Sequence, residues 1–120
     1  MSIYLKEQNG VSRLSNDQEV HRLYFGSIVK DGTYELEDDV NKFKLLYLCV
    51  FIGGNIATND IIPYISYSRE SIIGVPPFTN TSYYIQARAK FVDSTMIISS
   101  FARSGFTNGY IGRVYGQTNL

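Results

Sequence analysis

Few side chains in this sequence are suited to catalysis. The chain has one histidine, His21, and one cysteine, Cys49. A Ser-His-Asp triad would need His21 as its base, but no Gly-x-Ser-x-Gly nucleophile motif accompanies it. A zinc site would need three or four ligands at defined spacings, and the sequence lacks them. We therefore expect no catalytic residue and no metal site, and we interpret His21 and Cys49 as structural residues.

Other catalytic and cofactor motifs are also missing. The carboxylates between Glu35 and Asp39 lack the glycine and the closing glutamate of a calcium-binding loop, and Gly53-Gly54 does not match a phosphate-binding loop. Glycoside hydrolysis needs only two carboxylates, for instance Asp60 with Glu70, and the sequence does not exclude such a pair. Nothing singles these two residues out, so we predict a protein without enzymatic activity and without a cofactor.

Aromatic content is the positive signal. The chain has ten tyrosines, seven phenylalanines and no tryptophan. Tyrosine combines an apolar ring with a hydrogen-bonding tip, which suits interfaces and stacking on sugar rings. The alternative is that these tyrosines are half-buried strand residues, since tyrosine is a good strand former. Aromatic residues in and around the long loop that contains Pro76-Pro77 form the predicted ligand-binding site: Tyr64, Tyr67, Phe78, Tyr83 and Tyr84.

Three dipeptides indicate how these residues are positioned. Asn9-Gly10, Asp31-Gly32 and Asn108-Gly109 each lie between short runs of strand-forming residues, and such pairs favour two-residue hairpin turns. We predict an N-terminal hairpin over residues 3–14 and a second hairpin over 27–36. The alternation after Tyr84 predicts a three-stranded meander over 83–116.

The fold class follows from these short strands and turns. Gly-containing turns at short intervals predict an all-β protein, an antiparallel β-sandwich or jelly roll. Two parts are expected: an N-terminal hairpin or docking segment at 1–20 and the β-sandwich domain at 21–120. Pro63 predicts that its strand lies at a sheet edge or forms a bulge.

The segment from Phe43 to Ile52 is predicted to form the core strand. Beyond Lys44 both of its faces are apolar, so both must be covered. One cover is the opposing sheet, and the other is a loop, a helix or a neighbouring subunit. We interpret the pattern as a homo-oligomer whose interface contains Leu46, Leu48, Val50 and Ile52.

Charge and hydropathy limit the classes of partner that we expect this protein to bind. Eleven basic residues balance eleven acidic ones, and without a basic patch we expect no nucleic acid partner. The first residues lack the pattern of a secretory signal, and the longest apolar run is far shorter than the roughly 20 residues that cross a bilayer. We expect no membrane insertion, and we expect synthesis in a cytoplasm.

Two stretches together carry a family resemblance, one between Leu23 and Leu46 and one closing the chain. Their motifs are Leu23-Tyr24-Phe25-Gly26-Ser27-Ile28, Gly32-Thr33-Tyr34-Glu35-Leu36, Val40-Asn41-Lys42-Phe43-Lys44-Leu45-Leu46 and Ile111-Gly112-Arg113-Val114-Tyr115-Gly116. Over about residues 21 to 117 the chain resembles small β domains of bacteriophage tail fibre and tail tip proteins. The resemblance implies an all-β fold, often trimeric, in the virion tail. It implies contacts with other tail proteins and with a glycan or protein of the host cell surface.

Three hypotheses remain open from the sequence. The leading one is a virion structural protein of a bacteriophage or prophage tail or baseplate that attaches to the host surface. The second is a lectin-like carbohydrate-binding module of cellular origin. The third is a small glycan hydrolase, which would require two carboxylates facing each other across a groove.

Overall fold

The computed structural model describes residues 20–76 and 82–118. The predicted hairpin at 3–14 and almost all of the predicted docking segment lie outside the described residues, as does Phe78. The described residues form eight strands and two short 3-10 helices, Val40–Lys42 and Tyr64–Ser66. The strands are β1 (Val20–Ile28), β2 (Gly32–Glu35), β3 (Leu45–Ile52), β4 (Asn55–Pro63), β5 (Ser71–Val75), β6 (Tyr84–Val92), β7 (Thr95–Ser104) and β8 (Gly109–Gln117).

The strands form two four-stranded sheets. The first sheet has the order β1-β8-β3-β4 and the second has the order β2-β7-β6-β5. The strand pairs within each sheet are antiparallel. The chain is wrapped so that the first strand pairs with the last and the second with the second-last. The predicted all-β, antiparallel sandwich is confirmed.

The core lies between the two sheets. Every second residue of β6 is buried, as the sequence alternation predicts: Ile85, Ala87, Ala89 and Phe91. They pack against core residues of β3, β7 and β8, each of which is at most 2 % exposed. These core residues are Leu46, Leu48, Val50, Met96, Ile98, Ile111 and Val114. Burial of this apolar surface is the main term that stabilises the fold.

The predicted hairpin closed by Asp31-Gly32 is wrong. Gly32 begins β2 and pairs with Ile98 of β7, so the chain crosses from one sheet to the other at this point. Asp31 fixes the crossing, because its carboxylate accepts a hydrogen bond from the backbone N–H of Phe101 at 2.7 Å. Asp31-Gly32 does lie between two strands, as the sequence indicates. The two strands belong to different sheets and do not pair with each other.

The predicted meander over 83–116 is correct only in its first half. β6 pairs with β7, whereas β8 pairs with β1 and β3 in the other sheet. The turn at Asn108-Gly109 is present, and the N–H of Gly109 donates to the carbonyl of Phe106 at 3.0 Å. Here too the turn passes between sheets, and the three-stranded meander is β5-β6-β7.

A β-bulge at Leu23 interrupts the alternation of β1. Arg22 pairs with Tyr115 and Tyr24 pairs with Val114, so Leu23 has no partner in the register. The extra residue lets Leu23 enter the core while Phe25 lies on the outer face with 59 % of its surface exposed. Strict alternation along this strand would place Leu23 and Phe25 on the same face, and the bulge separates them.

β4 is an edge strand, as Pro63 predicts. The strand ends at Pro63, and the chain continues as the 3-10 helix Tyr64–Ser66. This short helix places Tyr64 at one end of the sandwich.

Candidate functional site

The structure separates the predicted ligand-binding tyrosines into two groups. The ring of Tyr67 contacts Phe91, which lies near the end of β6, with the ring centroids 6.1 Å apart. Tyr84 begins β6, and the seven residue steps from Tyr84 to Phe91 span roughly 23 Å of strand. Tyr64 and Tyr67 therefore lie at one end of the sandwich, and Tyr83 and Tyr84 lie at the other.

Tyr67 is a core residue. Only 4 % of its surface is exposed, and its hydroxyl donates a hydrogen bond to the backbone carbonyl of Phe43 at 2.9 Å. Burial raises the pKa of the Tyr67 phenol above its ordinary value. Tyr67 reaches the wall of one groove beside Tyr64 but presents almost none of its surface there. Its position is that of a supporting core residue and not of an exposed binding residue.

Tyr83 and Tyr84 have local structural contacts. The Tyr83 ring is 55 % exposed, packs edge-on against Phe106 at 5.5 Å and covers Gly105. Tyr84 is half-buried at the start of β6 and pairs with Ser104. Neither contributes to the surface around Tyr64.

Tyr64 is the exposed member of the predicted pair at this end of the sandwich, and its neighbour Ile65, which the sequence did not single out, is exposed as well. Their exposed fractions are 57 % and 75 %. The backbone N–H of Tyr64 donates to the carbonyl of Lys44 at 3.1 Å, and the Tyr64 ring packs edge-on against Tyr67 at 5.3 Å. Tyr64 is therefore an exposed ring with a fixed backbone and a buried aromatic support.

Two grooves flank Tyr64 and Ile65. One has a volume of about 540 Å³ and the other of about 410 Å³. We define the Tyr64 site as these two residues together with the polar residues that line the grooves: Asn41, Lys42, Lys44, Ser68 and Asp93. An apolar surface with a few polar groups around it is typical of small-molecule sites.

Hydrogen bonds hold the polar side of the Tyr64 site in place. The carboxylate of Asp39 accepts from both the backbone N–H and the side-chain amide of Asn41, at 2.9 and 2.8 Å. Lys42 forms an ion pair with Asp38 at 2.9 Å, and this hydrogen bond raises the pKa of Lys42. The site thus presents a fixed amide and a protonated amine beside an aromatic ring.

The predicted oligomer interface lies inside the protein. Leu46, Leu48 and Val50 have no exposed surface and belong to the core between the sheets, and Ile52 packs against that core. Contacts with the opposing sheet occupy these side chains, so a second copy cannot reach them. Because both faces of this segment are apolar in the sequence, the pattern alone does not show which face packs against the opposing sheet.

Neighbouring strands cover the other face of β3. Phe51 is only 5 % exposed; Tyr110 stacks on its ring at 5.4 Å, and the guanidinium of Arg113 lies 5.1 Å from the ring centroid. Cys49 lies beside Asn59 and Arg113 in the register, and burial raises the pKa of its thiol. Cover from within the sheet removes the need for a second copy over these residues.

The candidate carboxylate pair has separate partners. Asp60 accepts a hydrogen bond from the backbone of Gly74, whereas Glu70 forms an ion pair with Arg88 at 3.4 Å. Among residues 20–76 and 82–118, no group of three or more His, Cys, Asp or Glu side chains is placed to hold a metal ion.

Comparison with known proteins adds no family assignment. No protein-family model matches the chain, and no curated protein matches it. In the described part of the chain, no helix has the length and the apolar composition needed to cross a lipid bilayer.

Proposed function

We propose that this protein is a non-enzymatic binding module whose Tyr64 site holds a saccharide ring. The observation that carries the proposal is the Tyr64 ring itself, 57 % exposed and supported edge-on by the buried Tyr67. Tyrosine is enriched at interfaces because its ring is apolar and its hydroxyl is polar. The ring supplies a flat surface against which the C–H groups of a sugar can pack.

The polar residues of the Tyr64 site favour a hydroxylated ligand. Asn41 is held by Asp39, and the side chains of Lys44 and Ser68 lie in the lining of the two grooves. Amide, ammonium and hydroxyl groups donate hydrogen bonds to sugar oxygens. Because two grooves share Tyr64 and Ile65 in their linings, the site suits an extended glycan better than a single compact molecule.

The biological setting that we propose is a virion structural protein of a bacteriophage or prophage tail or baseplate, acting in host-surface attachment. Its support is the resemblance over about residues 21 to 117 together with the all-β fold. A lectin-like module of cellular origin would use the same site. Gene neighbourhood distinguishes the two, since neighbours encoding tail, portal and lysis proteins would contradict the cellular alternative.

A glycan array probed with the wild-type protein and two variants tests the binding function. Tyr64→Ala should weaken binding about fivefold, because an aromatic contact contributes on the order of 1 kcal/mol beyond the area it buries. Tyr83→Ala is the matched control, since Tyr83 is 55 % exposed but lies at the opposite end of the sandwich. Equal loss in both variants, or no glycan bound by the wild-type protein, would contradict the proposal.

Assembly as a homo-oligomer, with a trimer favoured, stays a prediction. Its original basis is gone, because Leu46, Leu48 and Val50 are core residues. The resemblance to tail proteins is its remaining support. Light scattering coupled to size exclusion at micromolar concentration checks it, and a monomer throughout would refute it.

A further inference from the structure

The outer face of the first sheet carries a row of stacked rings and cations. The guanidinium carbons of Arg22 and Arg113 lie 4.9 and 5.0 Å from the centroid of the Phe25 ring. Arg113 also lies 5.1 Å from the centroid of Phe51, which stacks on Tyr110 with the ring planes 5° apart. We call these five residues the arginine–aromatic row. Such contacts stabilise a cation over an aromatic ring.

Two backbone features build this row. The bulge at Leu23 brings Phe25 into register with Arg113 on the outer face. Gly112 leaves space for the Phe51 ring, since a Cβ atom at this position would lie 2.5 Å from it. The row therefore depends on the sheet itself and not on a loop.

The two arginines lack acidic partners among the described residues. Neither Arg22 nor Arg113 forms an ion pair within residues 20–76 and 82–118. The four strands of the first sheet contain one carboxylate, Asp60, and its hydrogen bond to Gly74 of β5 directs it toward the other sheet. Among the described residues, the strands of this sheet thus place positive charge on the outer face without a compensating carboxylate, although the whole chain has a formal net charge of zero.

Stacking leaves the hydrogen-bonding edge of a guanidinium available. The aromatic rings contact the flat faces of the group, whereas its five N–H donors lie in its plane and match the oxygens of carboxylate and phosphate. The stacked rings also restrict the Arg113 side chain, so less conformational entropy is lost when an anion binds.

A small groove lies against the row. Its volume is about 140 Å³, and its lining includes Phe25, Ser27, Tyr110 and Arg113. Sites for whole small molecules usually occupy about 300–1,000 Å³. The groove is therefore matched to one ionic group and not to a complete ligand.

We propose that the arginine–aromatic row is a second binding site, which takes the phosphate or carboxylate group of an anionic saccharide. The N–H groups of Arg113 bind the oxygens of this group, and Arg22 supplies a second positive charge within about 10 Å, since both guanidinium carbons lie close to the same ring. The sugar ring rests on the exposed side of Phe25. This site is separate from the Tyr64 site and does not depend on the function proposed for it.

Titration of the wild-type protein with glucose 6-phosphate, glucuronate and glucose, followed by two-dimensional NMR, tests the proposal. We expect millimolar binding of a charged sugar, with shifts centred on Arg113, and no binding of neutral glucose. The two charged probes separate the two sources of the anion, because the tighter one identifies phosphate or carboxylate as the preferred group. Raising the salt concentration should weaken the binding.

Charge-neutralising variants complete the test. Arg113→Gln should lower the affinity about tenfold and Arg22→Gln by a smaller factor, because hydrogen bonds to a charged group are the strong ones. Lys90→Gln removes a positive charge from β6 in the other sheet and should change nothing. Arg22 is exposed, so its variant remains informative if Arg113→Gln fails to fold.

Three results would overturn the proposal. They are the absence of binding to either charged sugar, unchanged affinity in both arginine variants, and an equal loss in Lys90→Gln. Tyr64→Ala should leave this affinity unchanged, so a failure here is distinguishable from a failure of the Tyr64 site.

Discussion

The carboxylate of Asp60 accepts a hydrogen bond from the backbone N–H of Gly74 at 3.0 Å. Asp60 lies on β4, the edge strand of the first sheet, and Gly74 lies on β5, the edge strand of the second. The hydroxyl of Thr58 donates to the same carboxylate at 2.8 Å. One charged side chain thus closes this side of the sandwich and occupies an edge N–H that another chain would otherwise pair with.

Removing this link should destabilise the fold. We expect Asp60→Ala to lower the free energy of unfolding by about 2 kcal/mol, because the Gly74 N–H and the Thr58 hydroxyl both lose their acceptor. Asp60→Asn keeps a neutral acceptor and should cost less, about 1 kcal/mol. Urea unfolding measures both values. If Asn proved as harmful as Ala, the negative charge and not the hydrogen-bond geometry would carry the effect.

Gly74 should be intolerant of a side chain. Its φ is +112°, and a Cβ atom would lie 2.1 Å from the carbonyl oxygen of Ile85, so the strand would have to move. We expect Gly74→Ala to cost about 3 kcal/mol or more. Gly54→Ala is the control, since Gly54 has a φ of +85° but no atom within 4 Å of the added carbon. There we expect about 1 kcal/mol, and comparable losses at the two positions would refute the steric explanation.

Stability should fall at alkaline pH because of Tyr67. Burial raises the pKa of this phenol above its usual 10.0. The unfolded chain therefore releases the proton first, so the free energy of unfolding is unaffected below about pH 9 and decreases above pH 10. Tyr67→Phe should remove part of this decrease.

The same variant should also cost stability near neutral pH. The loss of the Tyr67 hydroxyl leaves the Phe43 carbonyl without its buried donor, and we expect a cost of about 1–2 kcal/mol. Unfolding curves at neutral and alkaline pH measure both effects. Tyr34, whose pKa burial also raises, should supply the remaining pH dependence, and an alkaline slope that Tyr67→Phe leaves unaltered would count against this assignment.

Cys49 should react slowly while the protein is folded. Only 3 % of the residue is exposed, its thiol donates to the amide oxygen of Asn59 at 3.6 Å, and burial raises its pKa. Little of the reactive thiolate forms at mildly alkaline pH. A disulfide reagent should label one thiol rapidly in concentrated guanidinium chloride and hardly any in buffer. Rapid labelling of the folded protein would show that the outer face of β3 opens.

Local sequence patterns predict the strands better than their arrangement. The alternation from Ile85 to Phe91 gives both the strand and its buried face, because one face is apolar and the other polar. The turn signals at Asp31-Gly32 and Asn108-Gly109 mark changes of direction, but they do not say whether the next strand stays in the same sheet. That choice depends on contacts distant in sequence, such as the hydrogen bond between Asp31 and Phe101.

The sites show the same limit. Tyr64 and Tyr67 are alike in sequence, yet one is exposed and the other buried, because the 3-10 helix after Pro63 turns them in different directions. No local pattern in the sequence predicts the arginine–aromatic row. Arg22, Phe51 and Arg113 lie on three different strands and meet only through the register of the first sheet.

The pairing of the first strand with the last has a practical consequence. Val20 and Gln117 are register partners, and Gln117 also faces Leu45, two residues before Tyr47 and next to Lys44 of the Tyr64 site. A purification tag or fluorescent fusion attached directly after Gln117 would therefore lie beside the surface to be assayed. For assays of the Tyr64 site, the Gly53-Gly54 turn at the far end of β3 is the better position for a dye or for immobilisation on a sensor chip.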